Sequence, residues 1–178
     1  MIIDVEQTLL PESGKYKEVI YDIASSWNSQ KWIWIKFTND DYEEWCGEFR
    51  GEFRNFAYTD KNENILILTS DYMYQISRTN GKLKDYIERS EYINVTASPN
   101  GEFIVSDYYG VYVINNNIRD TSVITLPIHL DMIKFCGWNE NSLRIEAVEF
   151  CNWDNVVTID LNICTREITV ITQTNQVK

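Results

Sequence analysis

An apolar segment, an Asn-bearing turn and a run of β-branched or aromatic residues follow one another four times along this chain. Ala24-Ser25-Ser26-Trp27-Asn28 leads into Trp32 to Ile35, Ala57 to Asn62 into Ile65 to Leu68, Ala97 to Gly101 into Phe103 to Val105, and Phe135 to Asn139 into Leu143 to Ile145. Recurrence every ~35 to 40 residues marks a repeated supersecondary unit that buries its apolar face against its neighbours. Short strands and tight turns within each period make that unit an antiparallel β-meander.

The second period is the clearest. Asn55 to Thr59, Ile65 to Thr69, Tyr72 to Ser77 and Leu83 to Glu88 read as strands, with turn residues at Asp60 to Asn64, Ser70-Asp71 and Thr79-Asn80-Gly81 between them. Asn80-Gly81 is a hairpin signal because both residues accept positive φ. Ile65 to Leu68 is apolar throughout, which predicts a strand covered on both faces. The third period repeats the pattern with Asn94 to Ala97, Glu102 to Ser106 and Val111 to Ile114. The fourth runs through Met132 to Cys136, Ser142 to Val148, Val156 to Leu161 and Glu167 to Ile171, and the first covers Tyr21 to Ala24, Lys31 to Phe37 and Trp45 to Phe49. A single domain of units at about 20–53, 54–90, 91–126 and 127–173 follows.

One local signal competes with that scheme. Tyr16, Val19, Ile20, Ile23, Ala24 and Trp27 have the three-and-four spacing of a helix face, so a short N-terminal helix over about Lys15 to Ser25 is the alternative to a strand there. The tandem Gly47-Glu48-Phe49-Arg50 and Gly51-Glu52-Phe53-Arg54 would bend the chain between the first two units, unless the duplication is a matter of chance.

From Tyr21 to Ile171 these features resemble a β-propeller, with Asn-containing turns between first and second strands and aromatic-rich strands. The resemblance implies an all-β fold of repeated antiparallel meanders stacked as a small or partial propeller. The Trp-Asp and Gly-His signatures of the best-known propellers are missing and the chain has only 7 glycines, which leaves ring closure open. An incomplete ring would expose strand edges that dimerisation could cover, but a monomer is expected until a partner is met.

At 178 residues, folding would bury roughly 70% of the unfolded surface. The 27 acidic side chains outnumber the 16 basic ones, giving a net charge of -11. That sign repels phosphate backbones and anionic membranes and favours a basic partner, so neither direct nucleic-acid nor membrane binding is expected. Met1 to Glu6 carries acids where a secretory signal needs bases, and the apolar runs are far too short to span a bilayer, which predicts a cytoplasmic protein. Cys46, Cys136, Cys151 and Cys164 lack metal or redox spacing and read as buried free thiols.

An acidic and aromatic cluster follows the second strand of every period. These clusters comprise Asp40, Asp41, Tyr42, Glu43, Glu44 and Trp45; then Asp71 and Tyr72 with Tyr74; then Asp107, Tyr108 and Tyr109; then Glu149 and Phe150 with Trp153 and Asp154. In a propeller, equivalent loops emerge on one side, so these residues are the expected partner-binding face. Tyr and Trp bring contact area at small entropic cost, and carboxylates complement Lys and Arg across an interface. Enzymatic readings find less support. The sole histidine, His129, stands near Pro127 without a nucleophile motif, no glycine-rich phosphate cradle is visible, and neither Asp71 nor Asp107 lies in a calcium-loop pattern. No catalytic residue, metal or cofactor is expected.

A small, acidic, aromatic-rich β protein of this character resembles the immunity proteins of bacterial toxin systems, including contact-dependent growth inhibition. That resemblance implies a one-to-one complex in which the acidic, ring-bearing surface occludes the active site of a cognate basic toxin, typically a nuclease. The alternative is a carbohydrate- or peptide-binding propeller module using the same rings.

Overall fold

A computed structural model describes residues 1–115 and 117–175 of the chain, with side chains up to Ile171. Sixteen strands form four sheets of four strands each, and no helix occurs among the described residues. The chain folds as two compact units, Met1–Ser90 and Glu91–Lys178, each holding two sheets. An all-β fold of repeated, blade-like sheets is the one the periodicity predicts.

In the first unit, β1 (Ile2–Thr8), β2 (Lys17–Tyr21), β3 (Trp32–Asn39) and β4 (Glu44–Arg50) form a sheet of order β1-β3-β4-β2. β1 occupies a stretch that the periodicity leaves unassigned. β2 replaces the competing helix, running parallel to β4 with Lys17 opposite Trp45 and Tyr21 opposite Phe49. Its side chains alternate as in a strand: Tyr21 is buried, whereas Ile20 is 61% exposed. Tyr21 stacks on Phe49 with ring centroids 4.5 Å apart, a tertiary contact that outweighs a weak local helix preference. The strand expected at Tyr21 to Ala24 is thus displaced toward the N-terminus, overlapping the observed one at Tyr21 alone.

The second sheet, β5 (Phe53–Tyr58), β6 (Asn64–Thr69), β7 (Tyr72–Ser77) and β8 (Leu83–Glu88), is an antiparallel meander in chain order. Of the two tandem glycines, Gly51 makes the bend. Its φ of 110° turns β4 into β5, and a Cβ there would meet Thr69 Oγ1 at 2.7 Å. Ile33, Ile35 and Phe37 of β3 face Ile65, Ile67, Tyr72, Tyr74 and Ile76 in one core. Ile65 to Leu68 are buried on both faces of β6, as their unbroken apolar run predicts.

The two sheets of this unit share both ends. At one, the Ile2 N–H donates to Arg78 O and the Asp40 N–H to Met1 O, each at 2.8 Å. At the other, the Ser70 N–H donates to Glu52 O and the Gly51 N–H to Lys31 O, each at 2.8 Å. β3 therefore runs toward the Met1 end and β6 away from it.

The second unit contains two meanders in chain order: β9 (Asn94–Ala97), β10 (Phe103–Ser106), β11 (Val111–Ile114) and β12 (Thr121–Ile124), then β13 (Leu130–Asn139), β14 (Ser142–Glu149), β15 (Asn152–Asn162) and β16 (Ile168–Asn175). Their shared core joins Ile104, Val111 and Val113 to Leu143, Ile145, Val157, Ile159 and Leu161. Two polar ties cross it: Asn94 Nδ2 donates to Ile133 O at 2.8 Å, and Trp138 Nε1 to Thr96 Oγ1 at 2.9 Å.

Candidate recognition surface

In the second unit, the β10–β11 turn and the β14–β15 hairpin meet at one end. Tyr109 lies edge-on to Phe150 with ring centroids 6.2 Å apart, and Tyr108 lies 6.3 Å from Tyr109. The start of β13 joins them, as the Ile133 N–H reaches Tyr108 O at 3.4 Å and the Phe150 N–H donates to His129 O at 2.9 Å. Tyr108, Tyr109, Met132, Phe150 and Trp153 are 48 to 64% exposed, an apolar patch of a kind that marks interaction sites.

The loops that carry this patch are held by their own carboxylates. Asp107 Oδ1 accepts the Tyr109 and Gly110 N–H groups at 2.7 Å each, and Oδ2 accepts the Tyr112 hydroxyl at 2.9 Å. A Cβ on Gly110 would fall 2.7 Å from that hydroxyl, so a glycine lets the ring close the turn. Burial, then the bond to Asp107, push the Tyr112 phenol up to about 12. Glu149 Oε2 accepts Asn155 Nδ2 at 2.7 Å and Asn152 Nδ2 at 2.8 Å, and these bonds hold its carboxyl below the usual range.

Charge is sorted along the unit. Among the described residues, the turns and strand ends here carry Glu91, Asp107, Asp131, Glu149 and Asp154, with Lys134 two residues beyond Met132 in β13. Arg119 and Arg166 lie in the turns of the opposite end, where Arg166 pairs with Glu102 at 2.7 Å, and Arg144 is held by Asp160 at 2.8 Å. The rings thus sit in a negative field.

The first unit does not gather its two clusters. Asp71, at the start of β7, accepts the Ser29 N–H at 2.8 Å and the Ser70 hydroxyl at 2.7 Å. Trp45 lies against Gly81, beyond the other end of β7 and ~17 Å away along the strand. Asp40, Asp41, Glu43, Glu44 and Trp45 therefore occupy the Met1 end and Asp71 the opposite one, a correction to the single shared face. The cause is strand order: β3 and β6 match in sequence but run in opposite directions. Asp40 accepts the N-terminal ammonium at 2.6 Å, Glu44 pairs with Lys36 at 3.3 Å, and Trp45 stacks on Phe37 at 4.3 Å. Tyr72 is also corrected: at 1% exposure it belongs to the core, beside Tyr74.

Met132 is the patch residue that sequence reasoning missed. It has a φ of 54° beside a register shift in β13, and only the structure reveals that break. Among the described residues, no group of three or more His, Cys, Asp or Glu could hold a metal. Three of the four thiols expected to be buried, Cys136, Cys151 and Cys164, are exposed, and Cys46 alone is buried. Among the described residues no helix is long and apolar enough to cross a membrane.

No family model and no curated protein matches the chain. Solved structures similar to it include the N-terminal domain of Nup159, at 12% identity and TM-score 0.46, covering 69% of this chain and 34% of that one. The dihydro-heme d1 dehydrogenase NirN in complex with DHE is similar at 13% identity and TM-score 0.46, covering 80% of this chain and 42% of that one. The WD40 domain of SCAP from fission yeast is similar at 9% identity and TM-score 0.44, covering 96% of this chain and 48% of that one. The chain thus spans about a third to a half of the length of these three structures.

Proposed function

We propose that this chain is a non-catalytic protein-recognition module that binds a basic partner through the end of its second unit bearing Tyr108, Tyr109, Phe150 and Trp153. One observation carries the reading: exposed rings converge among carboxylates while the arginines of that unit lie elsewhere or are paired. Aromatic side chains supply hot-spot area, and the field selects Lys- and Arg-bearing surfaces and speeds their encounter. A protein or peptide ligand fits better than a sugar. Asp107 and Glu149 already accept hydrogen bonds from their own loops, and Tyr109 and Phe150 meet edge-on rather than as a flat stacking platform.

The test is selection of phage-displayed peptides on the immobilised full chain, beside a Tyr109→Ser/Phe150→Ser variant. Enrichment of basic, aromatic-containing sequences that vanishes on the variant is the expected result. Identical enrichment on both chains would reject this surface. A basic nuclease toxin is one partner with the required chemistry, in keeping with the acidic ring-bearing end. Mixing the chain with a nuclease domain encoded beside its gene, while following complex formation and cleavage, tests that finer reading. Unimpaired cleavage without a complex rejects the toxin and leaves the module.

A further inference from the structure

The first unit carries a groove of about 700 Å³ that the proposed surface does not use, within the range of ligand-binding sites. One wall is the edge strand β2 and its exit, Lys17 and Val19 to Asp22; the other is the β7–β8 turn, Asn80 to Leu83. Trp45 lies between them, opposite Lys17 in register and pressed on by Gly81 from the other side. The Tyr21 hydroxyl donates to Gly81 O and closes the floor.

Two properties define an occupant. β2 ends its sheet and pairs only with β4, so half of its backbone N–H and C=O groups point outward, a template for an added strand. The groove's charges are also unevenly compensated. Of its acids, Asp22 is held by Arg50 at 3.0 Å and Glu44 by Lys36 at 3.3 Å. Among the described residues, Lys17 and Lys82 have no ion-pair partner; of the groove's acids Glu43 has none either, and Glu44 shares Lys36 with Glu6, which lies closer at 2.9 Å. Glu18 projects to the opposite face of β2, toward Cys46 and Glu48. In a chain of net charge -11, this groove therefore offers an anion two free ammonium groups beside an indole.

We infer that the groove binds an extended peptide that adds to the free edge of β2, directs carboxylates to Lys17 and Lys82 and seats an apolar side chain against Trp45 and Leu83. Strand addition supplies affinity through main-chain hydrogen bonds, and the lysines supply the preference for acidic sequences. A small anion would meet the lysines but leave the strand edge unused. This site is independent of the rings in the second unit.

Isothermal titration calorimetry with the full chain tests it, using an acetylated, amidated octapeptide of alternating valine and glutamate as the probe. Saturable binding is expected, weakened at least tenfold by Lys17→Glu with Lys82→Glu and abolished when alternate peptide amides are N-methylated. The N-methylated probe needs no protein variant, so it remains decisive even if the double substitution perturbs folding. A Tyr109→Ser/Phe150→Ser chain should bind the probe unchanged, which separates this result from the fate of the proposed partner surface. Equal binding of a control octapeptide of alternating valine and lysine, indifference to N-methylation, or no saturable heat at millimolar probe would overturn the inference. So would a dimer, seen by sedimentation, that Ile20→Glu disperses, since a second copy would then be the occupant of the edge.

Discussion

Replacing Asp107 with alanine tests whether the ring-bearing turn is built by its own carboxylate. Three hydrogen bonds disappear: two from backbone N–H groups at 2.7 Å and one from the Tyr112 hydroxyl at 2.9 Å. The Tyr109 N–H is exposed and rehydrates at little cost, whereas the Gly110 N–H and the Tyr112 hydroxyl are part-buried and lose a charged acceptor. Two such losses at roughly 1–1.5 kcal/mol each give a local destabilisation of about 2–3 kcal/mol. Amide exchange at Gly110 should quicken by about 30- to 150-fold, since each 1.4 kcal/mol is tenfold. Asp107→Asn keeps an oxygen for the two N–H groups and should cost about 1 kcal/mol. Titration of Tyr112 gives a second readout. Its phenol, raised to about 12 by burial and then by Asp107, holds its proton more tightly folded than unfolded. That contribution to stability is intact below about 10, the unfolded value, and is lost as pH climbs through the folded one. In Asp107→Ala the ultraviolet titration of Tyr112 should move down toward 10, stopping short because burial remains. Unchanged Gly110 exchange together with an unchanged Tyr112 titration would refute the reasoning.

Three further outcomes follow from single side chains. Thr69, fully buried, accepts the Tyr72 N–H at 3.0 Å and donates to Arg50 O at 2.8 Å, so Thr69→Val should cost about 2–3 kcal/mol and lower the Tm of the chain by roughly 5–10 °C. A thiol reagent at pH 8 should label Cys136, Cys151 and Cys164 promptly and Cys46 only after denaturation, because burial, with the neighbouring Glu48 and Glu18, pushes the Cys46 thiol up to about 11; prompt labelling of all four contradicts that placement. Asp154→Lys, exposed on the ring-bearing end, should slow association with a basic peptide selected on this surface about three- to tenfold and flatten its salt dependence in stopped-flow traces; an unchanged rate places the interface elsewhere.

The periodicity exposed the sheets because their apolar runs are local signals. Ile65 to Leu68 and Phe103 to Val105 each fill a strand buried on both faces, and the intervening turns announce themselves through Asn, Asp and Gly. The first sheet was less legible. Its β1 buries Ile2 and Val5, three residues apart across a register shift between Ile2 and Asp4, so it lacks the regular alternation of a strand, and it pairs with β3 across a separation that no local pattern encodes. β2 carries an apolar spacing that serves a helix or a strand equally, and only the aromatic face of β4 decides between them. Matching Trp32 to Ile35 with Ile65 to Leu68 was sound as composition and misleading as direction. Sequence similarity says nothing of which way a strand runs, and here the first sheet is offset by one strand relative to its neighbour.

Loop length explains why the same Asp-Tyr pair is displayed in one turn and buried in another. Between β6 and β7 only Ser70 and Asp71 make the turn, so the tyrosine that follows enters the ladder at its first position. There Tyr72 pairs opposite Glu88 and packs inward on Tyr74 and Tyr86. Between β10 and β11 the turn holds Asp107, Tyr108, Tyr109 and Gly110, which keeps both rings outside the ladder, while the next tyrosine, Tyr112, takes the in-register place. The β14–β15 hairpin reaches the same end by another route. Its turn begins with Phe150, and a register shift opposite Val148 and Glu149 releases Trp153 from regular pairing. In these turns an acid is tied up locally: Asp71 and Asp107 accept backbone N–H groups and Glu149 accepts the side-chain amides of Asn152 and Asn155. The longer turns alone leave rings outside the ladder, Tyr108 and Tyr109 between β10 and β11 and Tyr42 between β3 and β4. Composition therefore marks every such turn as a candidate, and the number of residues between consecutive strands selects which of them offers its rings to a partner.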